Sequence, residues 1–276
     1  MNLFYNICIL LYKNALWCFS LFNTKAKEIV KNQRNLIQKI QSSTKGEKNI
    51  VWFHAASLGE FEQGKSVIKI YKKKNPNHKI LLSFYSPSGY NNIKNSELAD
   101  WVFYLPHDTK KNAKFIAKNI KPIKVIFIKS EFWFNYIREM YKENIPIYFI
   151  SSIFRKEQYF FQFYGKWFAK QLQKASYLFV QNAESEKLLN SINIKNVKVV
   201  GDSRLETVLD NAMLNAWAFI NPRNSIEEIK QNTFPSKLLE YIAYGKPIIS
   251  TPVSSITSEF KDLLMFYNQD DILSLS

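Results

Sequence analysis

Seven short apolar runs, near residues 51–56, 79–86, 101–106, 124–130, 145–152, 177–183 and 197–202, are each separated by a helical or polar stretch. Apolar runs of this length suit strands buried on both faces. Strands joined by crossovers rather than tight turns pair in parallel. The pattern predicts an α/β fold with a parallel sheet built from βαβ units over residues 49–212. The polar stretch IQSSTKGEK, 40–48, sets this domain apart from an N-terminal segment, 1–39. From 213 to 276, AWAFINP and PIIST read as strands and SKLLEYIAYG as a helix ended by Gly245. A complete doubly wound domain needs more strands than this, so the last segment reads as a partial one.

The chain carries a formal charge of +15, from 38 basic residues against 23 acidic ones. Only Arg34, Arg138, Arg155, Arg204 and Arg223 are arginines. Readers of nucleic acid favour the arginine fork for base edges and phosphates, so the lysine excess points to an anionic surface and no nucleic acid is expected. Cys8 and Cys18 form no CxxC pair and no disulfide framework, which fits a reducing compartment. His54, His78 and His107 lack metal-ligand spacing, so neither a metal nor another cofactor is expected.

The first 22 residues, MNLFYNICILLYKNALWCFSLF, are apolar and aromatic but interrupted by Asn6, Lys13 and Asn14. A membrane span needs about 20 predominantly apolar residues, and a lysine near its middle is costly. The segment therefore reads as a helix lying at a membrane surface, with Lys25, Lys27, Lys31, Arg34 and Lys39 following to meet anionic headgroups. A helix docked on the domain and a signal anchor are the alternatives.

In VWFHAASLGEFEQG, 51–64, a strand runs through small residues into a helix beginning near Gly59 and Glu60. Such a strand end is the usual mouth of an α/β site. Ser57-x-x-Glu60 is also a capping-box pattern, so by itself Glu60 is explained by structure as well as by chemistry.

HAASLGEFEQG at 54–64, SFYSPSGY at 83–90, YLPHD at 104–108, KSEFW at 129–133 and GDSRLETV at 201–208 together resemble the bacterial 3-deoxy-D-manno-octulosonic acid (Kdo) transferases. The resemblance implies a GT-B glycosyltransferase with a complete N-terminal Rossmann-like domain and, here, a truncated C-terminal one. It implies an inverting, metal-independent transfer of Kdo from CMP-Kdo to a lipid A precursor, lipid IVA, at the cytoplasmic face of the inner membrane. By this resemblance Glu60 is the general base, the helix terminus favouring its ionised form and limiting its basicity. Ser57, Gly59, Ser86, Ser88, Gly89, Glu131, Arg155 and Arg204 are candidate substrate contacts. His107 and Asp108 could line the acceptor site or form a capping or turn pair.

Residues 219–250 resemble instead the nucleotide-sugar domain of retaining two-Rossmann glycosyltransferases, which makes Lys237 and Glu240 candidate nucleotide contacts. Pro235 and Ser236 can start a helix on which Lys237 faces an anion. Two alternatives stand beside Kdo transfer: a glycosyltransferase using another nucleotide sugar, and an inactive acceptor-binding relative.

Overall fold

The computed structural model describes residues 2–129, 131–201, 219–221, 247–250 and 264–266. The chain divides into two compact units, Met1–Arg204 and Leu205–Ser276. In the first, strands β1 (Ile50–Ala55), β2 (Lys79–Phe84), β3 (Trp101–Tyr104), β4 (Lys124–Ile128), β5 (Ile147–Ser152), β6 (Tyr177–Val180) and β7 (Val197–Val199) form one sheet. Its order is β3-β2-β1-β4-β5-β6-β7, parallel throughout. In the second unit β8 (Phe219–Asn221), β9 (Ile248–Ser250) and β10 (Leu264–Phe266) pair in parallel in the order β10-β9-β8.

The apolar runs become strands because both faces of the sheet are covered. Helices α4 (Leu58–Lys74) and α5 (Pro87–Ile93) cover one face, where Val51, Phe53 and Ala55 of β1 meet Phe61 and Ile68. Helices α6 (Lys110–Phe115), α7 (Phe134–Lys142), α8 (Lys166–Leu172) and α9 (Ala183–Ser191) lie on the other, with Ile50 and Trp52 of β1 turned toward Tyr136 and Ile137. Alternate residues of one strand thus serve two separate cores. The strand order explains the split. From β1 the chain winds outward to β2 and β3, then returns past β1 to β4 and winds the other way. Right-handed crossovers in opposite directions place their helices on opposite faces.

Three helices precede the sheet: α1 (Asn2–Phe19), α2 (Thr24–Gln33) and α3 (Leu36–Ser43). Leu36 and Ile40 of α3 enter the core on the α7 side. The N-terminal helix α1 is held chiefly by polar groups on one side. Tyr5 donates to Asp108 Oδ2 at 2.5 Å, Asn135 Nδ2 donates to Asn6 Oδ1 at 2.9 Å, and Arg138 and Trp167 both donate to Asn2 Oδ1 at 3.1 Å. The Tyr5 ring packs against Phe134 and Trp167. Away from these contacts α1 exposes Leu3, Phe4, Leu10, Leu11, Trp17 and Phe19. No described helix is long and apolar enough to cross a membrane.

Asp108 joins α1 to the sheet domain. It is buried and accepts from the backbone N–H groups of Asn135 and Tyr136 at 3.1 and 3.0 Å, capping α7 while it receives the Tyr5 hydroxyl. It is a structural anchor and takes the capping role that the sequence offered for it. Burial pushes its carboxyl up to about 6 despite these donors. Because the folded value lies above the ordinary 3.8, the ionised group costs stability fully above about pH 6 and progressively less as pH falls toward 4.

Two outcomes follow for urea unfolding of the full chain. Asp108→Ala removes the cap and strands the Tyr5 hydroxyl, and should cost about 3 kcal/mol, whereas Tyr5→Phe should cost about 1 kcal/mol. In the wild type this group's contribution should make stability rise as pH is lowered from 6 toward 4, a component that Asp108→Ala lacks.

Candidate functional site

The opposed helices leave an opening between the carboxyl ends of β1 and β4, the topological switch point where open α/β sheets receive ligands. Two segments border it, the turn 55–60 leading into α4 and the segment 129–133 leading into α7. Glu60 comes from the first and Glu131 from the second.

Glu60 sits in the first turn of α4. The Ser57 backbone N–H donates to its Oε2 at 3.1 Å, and the Ser57 side chain meets the Glu60 backbone in the reciprocal half of a capping box. The carboxylate is thereby held in one orientation at the end of β1. Burial raises its pKa, and the negative charge of Glu131 pushes the same way; N–H groups of Ala56 and Ser57 and the Lys129 ammonium pull it back without cancelling the rise. The backbone N–H groups at the helix terminus do limit basicity, as expected, but desolvation and a second carboxylate outweigh them. A group tuned upward in this way is a better proton acceptor than an exposed glutamate.

The 129–133 segment owes its direction to Lys129, whose φ of 68° lies in the left-handed region that a lysine rarely occupies. Its N–H donates to Ile150 O at 2.7 Å and its carbonyl accepts from Ser152 Oγ at 2.7 Å, so neighbouring β5 holds the turn on both sides. Two residues on, Glu131 Oε2 lies 3.9 Å from His54 Nε2.

His54 faces the α7 side from β1 and is fully buried. The Trp133 indole N–H donates to its Nε2 at 3.1 Å, which requires that nitrogen to be bare, so Nδ1 carries the proton and donates to Ser83 Oγ at 2.9 Å. The Trp52 indole donates to the same hydroxyl at 2.7 Å. A chain of hydrogen bonds thus runs from Trp52 through Ser83 and His54 to Trp133, fixing the second segment against the first. Tyr85, after β2, packs between Trp133 and His107, with ring centroids 5.1 and 6.4 Å away.

The remaining candidates fall into distinct surroundings. Ser86 is the N-cap of α5, its Oγ accepting from Ser88 N–H at 3.3 Å and lying 3.0 Å from Ser88 Oγ. Gly89 is buried, and a Cβ there would run into the Phe84 ring, so close packing of α5 on β2 accounts for this glycine. Gly59 has open space where a Cβ would stand, leaving the backbone accessible from the mouth of the site. Arg155 follows β5 and is exposed. Arg204, Lys237 and Glu240 lie outside the described residues. Sequence reading passed over His54 and Trp133 as parts of the site and weighed Lys129 only as a phosphate contact or an ion-pair partner of Glu131; the signal was a histidine inside an otherwise apolar strand. No three His, Cys, Asp or Glu side chains converge as metal ligands among the described residues.

The family described as 3-deoxy-D-manno-octulosonic-acid transferase (kdotransferase) matches residues 28–207, well over half of the chain. A 3-deoxy-D-manno-octulosonic acid transferase of Aquifex aeolicus is 33% identical over 94 residues, 34% of this chain and 26% of that protein. A bifunctional glycosyltransferase/methyltransferase of Fusobacterium nucleatum is 27% identical over 173 residues, 59% of this chain and 26% of that protein. The match thus spans about a quarter of the length of these curated relatives. A solved UDP-N-acetylglucosamine 2-epimerase of Rickettsia bellii is 14% identical, covering 79% of this chain and 68% of that one, at a TM-score of 0.45.

Thermal or urea unfolding measures the capping role of Glu60. Glu60→Gln keeps an acceptor for the Ser57 N–H and removes a charge the fold disfavours, so stability should stay within about 0.5 kcal/mol of wild type or rise. Glu60→Ala loses the cap and should cost about 1 kcal/mol.

Proposed function

The chain belongs to the 3-deoxy-D-manno-octulosonic acid transferase family, and from that premise we propose that it transfers Kdo from CMP-Kdo to a hydroxyl of a lipid A precursor such as lipid IVA, with Glu60 as general base. The observation that carries the reading is a carboxylate fixed at the switch point with its pKa raised by burial and by Glu131. In the reaction Glu60 takes the proton of the acceptor hydroxyl as its oxygen bonds to the anomeric carbon of Kdo. The bond from that carbon to the CMP phosphate oxygen breaks, and CMP leaves with the electron pair. Attack opposite the leaving group inverts the anomeric centre.

The chain's own residues supply orientation and proton transfer. The capping box holds Glu60, and the hydrogen bonds of His54 hold Trp133, two residues beyond Glu131. Lys129 keeps part of the negative charge at the mouth neutralised. The open space at Gly59 admits a ligand close to the α4 backbone, with Ser57, Ser86, Ser88 and Arg155 on the same carboxyl edge of the sheet as acceptor contacts. Arg204 is a further candidate for phosphate contact, on the acceptor or on CMP-Kdo, and Lys237 and Glu240 remain candidate nucleotide contacts. The exposed apolar side chains of α1 and the basic residues that follow support peripheral attachment to the anionic cytoplasmic face of the inner membrane.

Purified chain in detergent, supplied with CMP-Kdo and lipid IVA, should form Kdo-bearing product, and Glu60→Gln should reduce kcat by at least about a hundredfold while remaining folded. No product from a folded wild-type chain would reject the activity. Glu131→Gln removes a charge that raises the Glu60 pKa, so the acidic limb of the pH–rate profile should move to lower pH. A limb that stays in place would remove Glu131 from the tuning of the base.

A further inference from the structure

The larger cavities described in the first unit lie beside α1 rather than over Glu60. One of about 700 Å³ is bounded by Lys13 of α1, Gln33, Leu36 and Ile37 of α2 and α3, the loop containing His107, and α6. A second of about 340 Å³ shares Lys13, Gln33 and His107 with it and adds Trp17 and Arg34. His107, whose ring meets Tyr85, is the one lining residue that borders the Glu60 site; the remaining lining residues lie apart from it.

The chemistry of the larger cavity has two parts. Lys13, Lys111, Lys114 and Lys118 line it, and no carboxylate does. Lys118 is partly occupied by Glu143, 3.4 Å away, which leaves the cationic field chiefly to the other three. Leu36, Ile37, Pro106 and Phe115 form apolar wall. His107 is buried against Tyr85, and burial together with Lys13 holds its imidazole down at about 4, so it adds a neutral polar group and not another cation. Lysines without carboxylates select an anion, and apolar wall beside them selects an amphiphile over a fully hydrated ion.

Position narrows the choice further. Lys13 lies on the helix that exposes Leu10, Leu11 and Phe19, and Trp17, 57% exposed, lines the second cavity. We propose that the cavity formed by Lys13, Leu36, Ile37, Lys111, Lys114 and Phe115 holds the phosphoryl headgroup of an anionic membrane lipid, outside the transfer site. The inference depends on α1 meeting a membrane, as proposed above, and is independent of Kdo transfer. It gives the basic surface a defined lipid seat: α1 dips into the leaflet, one headgroup is drawn into the cavity behind it, and the orientation of the domain on the bilayer is fixed.

The test is co-sedimentation of the full chain with phosphatidylcholine vesicles, with and without phosphatidylglycerol. Two triple variants remove equal charge: Lys13→Gln/Lys111→Gln/Lys114→Gln at the cavity, and Lys72→Gln/Lys73→Gln/Lys74→Gln at the C-terminal end of α4, on the opposite face of the sheet. At about fivefold for each lysine near the bilayer, the cavity variant should lose on the order of a hundredfold in affinity for the anionic vesicles, and the remote variant less than about threefold. Equal losses from the two triples would overturn the proposal in favour of diffuse charge. Release of wild type from the vesicles by inorganic phosphate, at an ionic strength matched with chloride, would overturn it in favour of a free-phosphate site. Leu10→Ser/Trp17→Ser should weaken binding to neutral and anionic vesicles alike. Unchanged binding by that variant would reject the membrane role of α1 and the lipid seat with it, whereas a cavity triple that binds like wild type while the α1 variant does not would reject the seat alone.

Discussion

A right-twisted parallel sheet accepts only right-handed crossovers, and the rest of the first unit follows from that constraint. Because the chain winds from β1 toward β3 and later from β4 toward β7, α4 and α7 must leave adjacent strands on opposite faces. Neither helix can then close over the gap between those strands. The opening that receives Glu60 and Glu131 is a consequence of winding direction and would exist in any sheet with this strand order.

What makes the opening a tuned site is the way its borders are held. One border is fixed by the capping box at the start of α4, the other by the buried Trp52–Ser83–His54–Trp133 hydrogen-bond chain beneath the 129–133 segment. His54 has one donor and one acceptor nitrogen, both used, so the imidazole sets a direction for both partners. The left-handed conformation of Lys129 is held by two hydrogen bonds to β5, and its ammonium tempers the rise that burial imposes on the Glu60 carboxyl. Partial desolvation and a like charge, tempered by a nearby cation, together hold the Glu60 carboxyl above its ordinary pKa.

The N-terminal helix is joined to this framework at a polar seam. Asp108 caps α7 and receives Tyr5, and Asn2 and Asn6 complete the contact, so the apolar side chains of α1 are not consumed in docking. The usual arrangement, in which a helix buries its apolar stripe and shows its polar one, is here partly inverted. That inversion leaves an exposed hydrophobic surface beside a lysine-lined cavity while α1 keeps a fixed place on the domain.

The apolar runs by themselves marked the seven strands of the first sheet, because a strand buried on both faces must be apolar at nearly every position, and two of the three later ones, at AWAFINP and PIIST, but not β10. The motif pieces marked Glu60, Ser57 and Glu131, and Ser57-x-x-Glu60 stated its own capping box. The sequence could not order the strands, since local hydrophobicity carries no information about which strand lies beside which. Nor could it set the proton affinity of Glu60, whose sign depended on burial and on a carboxylate 71 positions away in the chain. His54 looked like one polar residue in a core strand, and Asp108 like half of a turn pair, until the fold brought Trp133 to the first and Tyr5 to the second. Residue type and spacing determined the strands and the caps, which are local. Tertiary structure decided the site, because desolvation, charge pairing and the partners of a buried hydrogen-bonding group arise only where distant segments meet.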